Sequence, residues 1–219
     1  MKGRKNKLER IICIIIGYIF GLFETGYLYG KLKNTDIRNH GSGNAGTTNA
    51  LRTFGFKGGL ITFAGDFLKS ILAALFVGLI FGSQPAEYVK ILQVYAGFGA
   101  VLGHDFPIYL NFKGGKGIAT TAGLMIIINT KMALIAMAVF IIIALSTRFV
   151  SLASLIAIST MFAGILVCGN MGFLPVGGNL LYEIYGVTGV LTILAFVKHK
   201  SNISRLLNGT ENKLSFKKK

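Results

Sequence analysis

The stretch IICIIIGYIFGLFETGYLYG, residues 11–30, carries a single charged side chain, Glu24. A run of that length and apolarity is what a helix needs to cross the roughly 30 Å hydrocarbon core of a bilayer. Runs of similar character cover 58–82, 91–110, 132–146, 152–169 and 184–197, with a shorter one at 117–128. Backbone groups in hydrocarbon have no water to bond, so such runs fold as helices. The expected architecture is therefore all-α: a polytopic membrane protein with about seven transmembrane helices in one bundle, forming a single domain over 1–219. Composition agrees, since 53% hydrophobic and 14% charged residues in 219 are too apolar for an ordinary water-facing surface. No stretch outside the spans is long enough to bury a core of its own. The first run is too long for a signal peptide and lacks a small-residue cleavage site, so it is expected to stay as the first helix.

The formal charge of +15 raises nucleic acid as a partner, but the basic residues lie in loops and tails between spans and not along one amphipathic face. Anionic lipid or small anionic substrates fit better. Loops rich in lysine and arginine face the cytoplasm. With seven spans and the N-terminus outside, the inner segments hold Lys31, Lys33, Arg38, Arg52, Lys57, Lys113, Lys116, Arg148 and the basic C-terminal tail, while the outer loops keep little beyond Lys90 and Lys131. The N-terminal tail, with Lys2, Arg4, Lys5, Lys7 and Arg10, runs against this orientation. The closing lysines, Lys217, Lys218 and Lys219, are expected to anchor the tail at an anionic leaflet. Cys13 and Cys168 lie in apolar stretches without ligand spacing and are expected to pack, with no disulfide or metal site.

Three polar islands interrupt the oily pattern: RNHGSGNAGTTNALR (38–52), GHDFPIYLNFKGGKG (103–117) and KHKSNISRLLNGTE (198–211). Under the N-out topology all three face the cytoplasm at one end of the bundle. In the first, a glycine-rich turn feeds a helix start near Thr47, Thr48 or Asn49. Unpaired N–H groups and the positive end of a helix dipole are what an anion requires, and Arg52 a few residues on can close a fork on the same phosphate. The plainer reading is a flexible connector. In the second, Gly114 and Gly115 allow close approach to a ligand, with charge from Lys113 and Lys116; the plainer reading is a pair of snorkelling lysines. His104 reads either as a buried hydrogen-bonding residue or as part of the site, and Pro107 marks the end of the spanning helix. In the third, His199, Asn202 and Arg205 are three apart and share one helix face, with Arg205 able to hold phosphate or to pair with an acid.

Neither Gly-Lys pair sits in a Walker A loop, and no strand precedes a glycine turn as a dinucleotide site demands. Nucleotides are not implied. Within the spans, Asp66 and Lys69 are expected to pair and contribute to packing, the alternative being that Lys69 reaches the polar site; Glu24 has no evident partner, and Ser151 and Ser154 sit where a hydroxyl can add a donor on the inner side.

In order and separation, GSGNAGTTN, GHDFPIYLNFKGGKG and KHKSNISRLLNGTE resemble the three motifs of the bacterial acyl-phosphate-dependent glycerol-3-phosphate acyltransferases, integral membrane enzymes of the bacterial inner membrane with the active site facing the cytoplasm. The resemblance covers nearly the whole chain; the basic N-terminal tail is the part the family is not expected to share. It implies transfer of a fatty acyl group from acyl phosphate to the sn-1 hydroxyl of glycerol 3-phosphate, giving lysophosphatidic acid and phosphate, with no cofactor and no metal. It assigns catalytic roles to Ser42, Arg52, Lys116, His199 and Asn202. Substrate contacts are implied for Gly43, Asn44, Ser154, Lys113, Gly114, Gly115, Gly117, His104 and Arg205. An acyl phosphate is already activated, so the protein mostly has to position two anions and offset their repulsion.

The His-x4-Asp pair of other glycerol acyltransferases is missing, since Ala45, Tyr109 and Ser204 stand five residues beyond the three histidines. The metal-binding aspartates of CDP-alcohol phosphotransferases are missing too. A transporter or channel for phosphorylated solutes is the rival reading, because basic residues and broken helices also line anion paths. Such a protein would carry polar positions through several spans, whereas here only Glu24, Asp66 and Lys69 are embedded.

Overall fold

A computed structural model of the chain describes residues 2–214, with side chains from Asn6 onward. The expectations placed on Lys2, Arg4, Lys5 and the closing lysines lie outside the described side chains. The described residues form helices and connecting turns, in two compact units that divide after Ile128. The first holds α1 (Lys2–Gly21), α2 (Thr25–Leu32), α3 (Thr47–Phe81), α4 (Ala86–Asp105) and α5 (Ile118–Ile128). The second holds α6 (Thr130–Thr147), α7 (Val150–Asn170), α8 (Gly178–Lys198) and α9 (Lys200–Leu207). Among the described residues, five stretches are long and apolar enough to cross a membrane: Asn6–Leu32, Thr47–Phe81, Thr130–Thr147, Val150–Asn170 and Gly178–Lys198. Helix α4 reaches about 30 Å and α5 only about 16 Å, at 1.5 Å per residue. The all-α membrane architecture holds, and seven is an approximate count of its spans.

Three boundaries differ from the sequence expectation. The 11–30 run is not one helix: α1 stops at Gly21 and the chain restarts as α2 at Thr25, with extended backbone at Glu24. Helix α3 begins well before residue 58, at Thr47, and is kinked at Gly55, whose φ of 74° and ψ of −171° fall in a region essentially reserved for glycine. Helix α4 ends at Asp105 and not at 110, because a residue preceding proline is pushed out of the helical region and Pro107 follows two positions on.

In lipid there is no hydrophobic gain from pressing two apolar helices together, so close backbone packing must do the work. Helices α1 and α4 achieve it with glycine pairs four apart. A Cβ on Gly17 would strike the Ala96 carbonyl and one on Gly21 that of Ala100; reciprocally, Cβ atoms on Gly99 and Gly103 would strike the carbonyls of Ile14 and Tyr18. Cys13, Ala73, Val77, Leu92, Ala96 and Ala100 form the adjoining core, so Cys13 packs as expected, and both cysteines are free thiols. Helix α3 turns Leu68, Leu72, Leu75 and Leu79 outward and buries Asp66, Lys69, Ser70 and Ala73. That is the arrangement of a helix with lipid outside and polar groups within. In the second unit α7 packs between α6 and α8, and the Met132 side chain occupies the space a Cβ on Gly164 would need.

Candidate active site

The first island folds around one buried side chain. Asn49, on the first turn of α3, accepts the Ser42 N–H through Oδ1 at 2.9 Å. Its Nδ2 donates to the carbonyls of Ile37, His40 and Asn44 at 3.0, 2.9 and 2.8 Å. The loop from 38 to 46 is thus wrapped around a single amide, whose donor and acceptor ends both find backbone partners. Gly41 and Gly43 have φ of 58° and 72°, conformations that cost an L side chain energy, and a Cβ on Gly41 would run into Asn49 Oδ1. Ser42 and Gly43 are left exposed on the outside of the wrap. Helix α3 follows at once, with Gly46 as its N-cap, and half-buried Arg52 lies on its second turn. The Thr47 hydroxyl at the helix start is buried with no hydrogen-bond partner among the described residues.

The second island closes back on the end of α4. Gly115 N–H donates to the His104 carbonyl at 3.0 Å and Gly114 N–H to that of Asp105 at 3.3 Å. A Cβ on Gly114 would strike the His104 carbonyl, and one on Gly115 the His104 ring. The close approach that these glycines permit is therefore first of all an approach to their own chain. Asn111 and Phe112 both have positive φ, 54° and 59°; for a phenylalanine this is a strained backbone of the kind that collects at functional sites. Lys113 is exposed and Lys116 half-buried. Gly117, with φ of 70°, leads directly into α5, so this loop too ends in a helix N-terminus.

The two islands meet. Asn44 Nδ2 lies 3.5 Å from the Gly114 carbonyl, and the Tyr109 hydroxyl donates to the Leu22 carbonyl in the α1–α2 break at 2.9 Å. Beneath them lies a buried ionisable group. Lys69 pairs with Asp66 at 3.2 Å, as expected, but also reaches the Phe23 carbonyl at 3.0 Å and His104 Nδ1 at 2.7 Å. Glu24, without a partner in the sequence reading, lies 2.8 Å from His104 Nδ1 and 3.8 Å from Lys69 Nζ. The histidine is buried, as the structural reading of it held.

The third island is built within the second unit. His199 caps the end of α8 and the start of α9, and its Nδ1 is 2.7 Å from the Ala195 carbonyl. A carbonyl only accepts, so Nδ1 carries a proton, and in the neutral ring Nε2 is then the acceptor. His199 and Asn202 are buried and Arg205 half-buried, while Lys200, Ser201 and Ser204 face outward, which confirms the shared face. Arg205 takes the acidic-partner alternative: its Nε donates to Glu211 Oε2 at 2.8 Å. Asn202 Nδ2 and Ser151 Oγ donate to Glu211 Oε1 at 2.8 and 3.0 Å. Burial alone would raise the Glu211 carboxyl, but these donors outweigh it and hold the group below its usual value. The Ser154 hydroxyl donates to its own helix, at the Val150 carbonyl, 2.9 Å away.

The structure thus brings Ser42, Gly43 and Asn44 to the loop that carries Lys113, Gly114, Gly115, Lys116 and Gly117, with Arg52 on the helix between. In the other unit it places His199, Asn202 and Arg205 on one face and joins Asn202 and Arg205 to Ser151 through Glu211, with Ser154 bonded to its own helix. Sequence reasoning missed Asn49 as the organiser of the first loop and Glu211 as the hub of the third island. Asn49 had a signal, being one of the three residues proposed near the helix start.

The sequence profile of the family described as Glycerol-3-phosphate acyltransferase matches residues 11–209. The chain is 39% identical over 208 residues to the glycerol-3-phosphate acyltransferase of Alkaliphilus metalliredigens, covering 94% of this chain and 97% of the relative. It is 40% identical over 206 residues to that of Bacillus subtilis, with the same coverage. Its fold is similar to the crystal structure of PlsY (YgiH), an integral membrane glycerol 3-phosphate acyltransferase, in its glycerol 3-phosphate form: TM-score 0.81, 35% identity, 94% of this chain and 96% of that one. The lysophosphatidic acid form of the same enzyme gives a TM-score of 0.79.

Proposed function

This chain belongs to the glycerol-3-phosphate acyltransferase family, and from that premise we propose that it moves a fatty acyl group from an acyl phosphate to the sn-1 hydroxyl of glycerol 3-phosphate. The products are lysophosphatidic acid and inorganic phosphate, as the first step of phospholipid biosynthesis. The observation that carries this reading is the meeting of two glycine-rich loops at Asn44 and Gly114, each feeding a helix N-terminus and each accompanied by a cation, Arg52 or Lys116. Bare N–H donors, helix dipoles and fixed positive charge are what two phosphate groups need in order to be held close together.

In the reaction the sn-1 oxygen attacks the acyl carbon, the new ester C–O bond forms, the acyl–phosphate C–O bond breaks, and the hydroxyl proton leaves with the departing phosphate. The donor is a mixed anhydride with a stable leaving group, so positioning and charge neutralisation suffice and no acyl-enzyme is needed. Ser42, Arg52, Lys116, His199 and Asn202 act on the reacting groups. His199 has its Nδ1 proton committed to Ala195, and its Nε2 accepts from the substrate hydroxyl and aims it. Gly43, Asn44, Lys113, Gly114, Gly115, Gly117, Ser154 and Arg205 shape the substrate sites, with His104 supporting the second loop. The whole chain works as one acyltransferase domain in the bacterial inner membrane, N-terminus outside and site toward the cytoplasm.

The test is to incubate purified protein with palmitoyl phosphate and glycerol 3-phosphate. Lysophosphatidic acid and free phosphate should appear in equal amounts, and intact-mass measurement during turnover should find unmodified protein. An acyl adduct would overturn the direct transfer, and absence of product from folded protein would overturn the donor.

A further inference from the structure

Four ionisable side chains share the interior of the first unit: Glu24, Asp66, Lys69 and His104, each at least 96% buried. Taking ions out of water costs several kcal/mol each, and inside a membrane protein charged groups are kept where they serve a function. Simple stapling of helices does not need them, since α1 and α4 already pack backbone to backbone through their glycines.

Their connections run to both glycine-rich loops. Lys69 donates to the Phe23 carbonyl and to Asp66 Oδ1 and lies 2.7 Å from His104 Nδ1, so the three N–H bonds of its ammonium are all engaged. His104 Nδ1 faces both Lys69 Nζ at 2.7 Å and Glu24 Oε1 at 2.8 Å, and the Nε2 edge of its ring lies against Gly115. The His104 carbonyl holds the Gly115 N–H, so this residue grips the second loop with both backbone and ring. On the other side Glu24 stands in the α1–α2 break, where the Phe23 carbonyl has lost its helical partner and is satisfied by Lys69. Two residues further on, Gly26 rests against the Ala45 carbonyl of the first loop so tightly that a Cβ would strike it.

We propose that Lys69, with His104 and Glu24, is a positioning residue: the ammonium locks the α1–α2 break to the end of α4 and so holds the two glycine-rich loops in register for the glycerol 3-phosphate phosphate group. The role rests on the reading that these loops bind that substrate. Lys69 touches no substrate and acts through the loops. Its loss therefore loosens phosphate binding more than it slows the chemical step.

The experiment compares wild type with Lys69→Met in the full-length, detergent-solubilised protein. It measures glycerol 3-phosphate affinity by calorimetry without acyl donor, KM and kcat with palmitoyl phosphate, and thermal stability. Lys69→Met/Asp66→Asn, which removes the acid that would be left unpaired, is the second variant. Affinity should fall, and KM rise, about tenfold or more while kcat stays within about threefold, in at least one variant that melts near wild type. Unchanged affinity in a folded variant overturns the proposal, as does a fall in kcat alone or the failure of both variants to fold. Wild type that binds glycerol 3-phosphate but makes no lysophosphatidic acid refutes the acyl-phosphate reading only, and the calorimetry still decides this inference.

Discussion

The two halves of the chain fix their polar islands in opposite ways. The first unit does it with backbone: loops of glycine and small polar residues, forced into left-handed turns, lead into the starts of α3 and α5. The second does it with side chains, Ser151, Asn202 and Arg205, all of which converge on one carboxylate, Glu211. A backbone site depends on whatever fixes the path of the loop and fails as a whole when that is lost. A side-chain site loses one contact at a time.

The sharpest way to break this contrast is Asn49→Asp. The substitution keeps an oxygen for the Ser42 N–H and exchanges the amide donor for a second oxygen facing three carbonyls. At about 1–3 kcal/mol per buried unsatisfied group, the loss is on the order of 4 kcal/mol. Activity should fall about a hundredfold or more, as expected when reacting groups are misplaced by an ångström. Melting temperature and specific activity in detergent check it. A variant with near-normal turnover would mean that the loop keeps its path by other means.

The same contrast explains what could be read from the sequence. Length and apolarity gave α6, α7 and α8 to within a few residues at most ends, because a membrane fixes helix length from outside. The break after Gly21 was hidden, since Leu22 and Phe23 look like any other membrane residues and the side chains that take up their carbonyls, Tyr109 and Lys69, lie far away in sequence. Glu24 was the visible trace of that break. Its neighbours are two, His104 from the second island and Lys69, of which Lys69 also pairs with Asp66, as the i,i+3 spacing did reveal. The glycines of the islands signalled tight turns, but not that Gly114 and Gly115 are needed to let the loop lie on His104. Glycine pairs at 17 and 21 and at 99 and 103 were legible as close-packing positions and went unused. In the third island the spacing of His199, Asn202 and Arg205 disclosed the face. Glu211 lies beyond the end of α9, where no periodicity points to it.

A smaller effect is expected from Glu211→Gln. The amide keeps the shape and one acceptor oxygen but presents an NH2 to donors that had a carboxylate, at a cost of roughly 2 kcal/mol for charge-assisted hydrogen bonds. Turnover should fall several-fold and not a hundredfold, because His199 keeps its own bond to Ala195. A loss as large as that of Asn49→Asp would show that the second unit, too, hangs on a single organiser.

The smallest effect separates the units by acid. Burial would raise the Glu211 carboxyl, but the hydrogen bonds from Asn202, Arg205 and Ser151 leave it below the ordinary glutamate value of 4.5. A group whose folded value is depressed contributes its full stability above the ordinary value and loses it as pH falls through the lowered one. In the first unit, Arg38 likewise holds the Asp36 carboxyl down through a hydrogen bond, but that pair is about a third exposed and screened by solvent, so it contributes little. Below about pH 4, amide protection in α9 should therefore weaken before protection in the loop at 38–46, as read by hydrogen exchange. Glu211→Gln should flatten the α9 response, because its amide does not titrate. Equal weakening of both segments, or an α9 response that survives in Glu211→Gln, would mean that acid acts on the chain as a whole and that the third island owes no separate stability to its carboxylate.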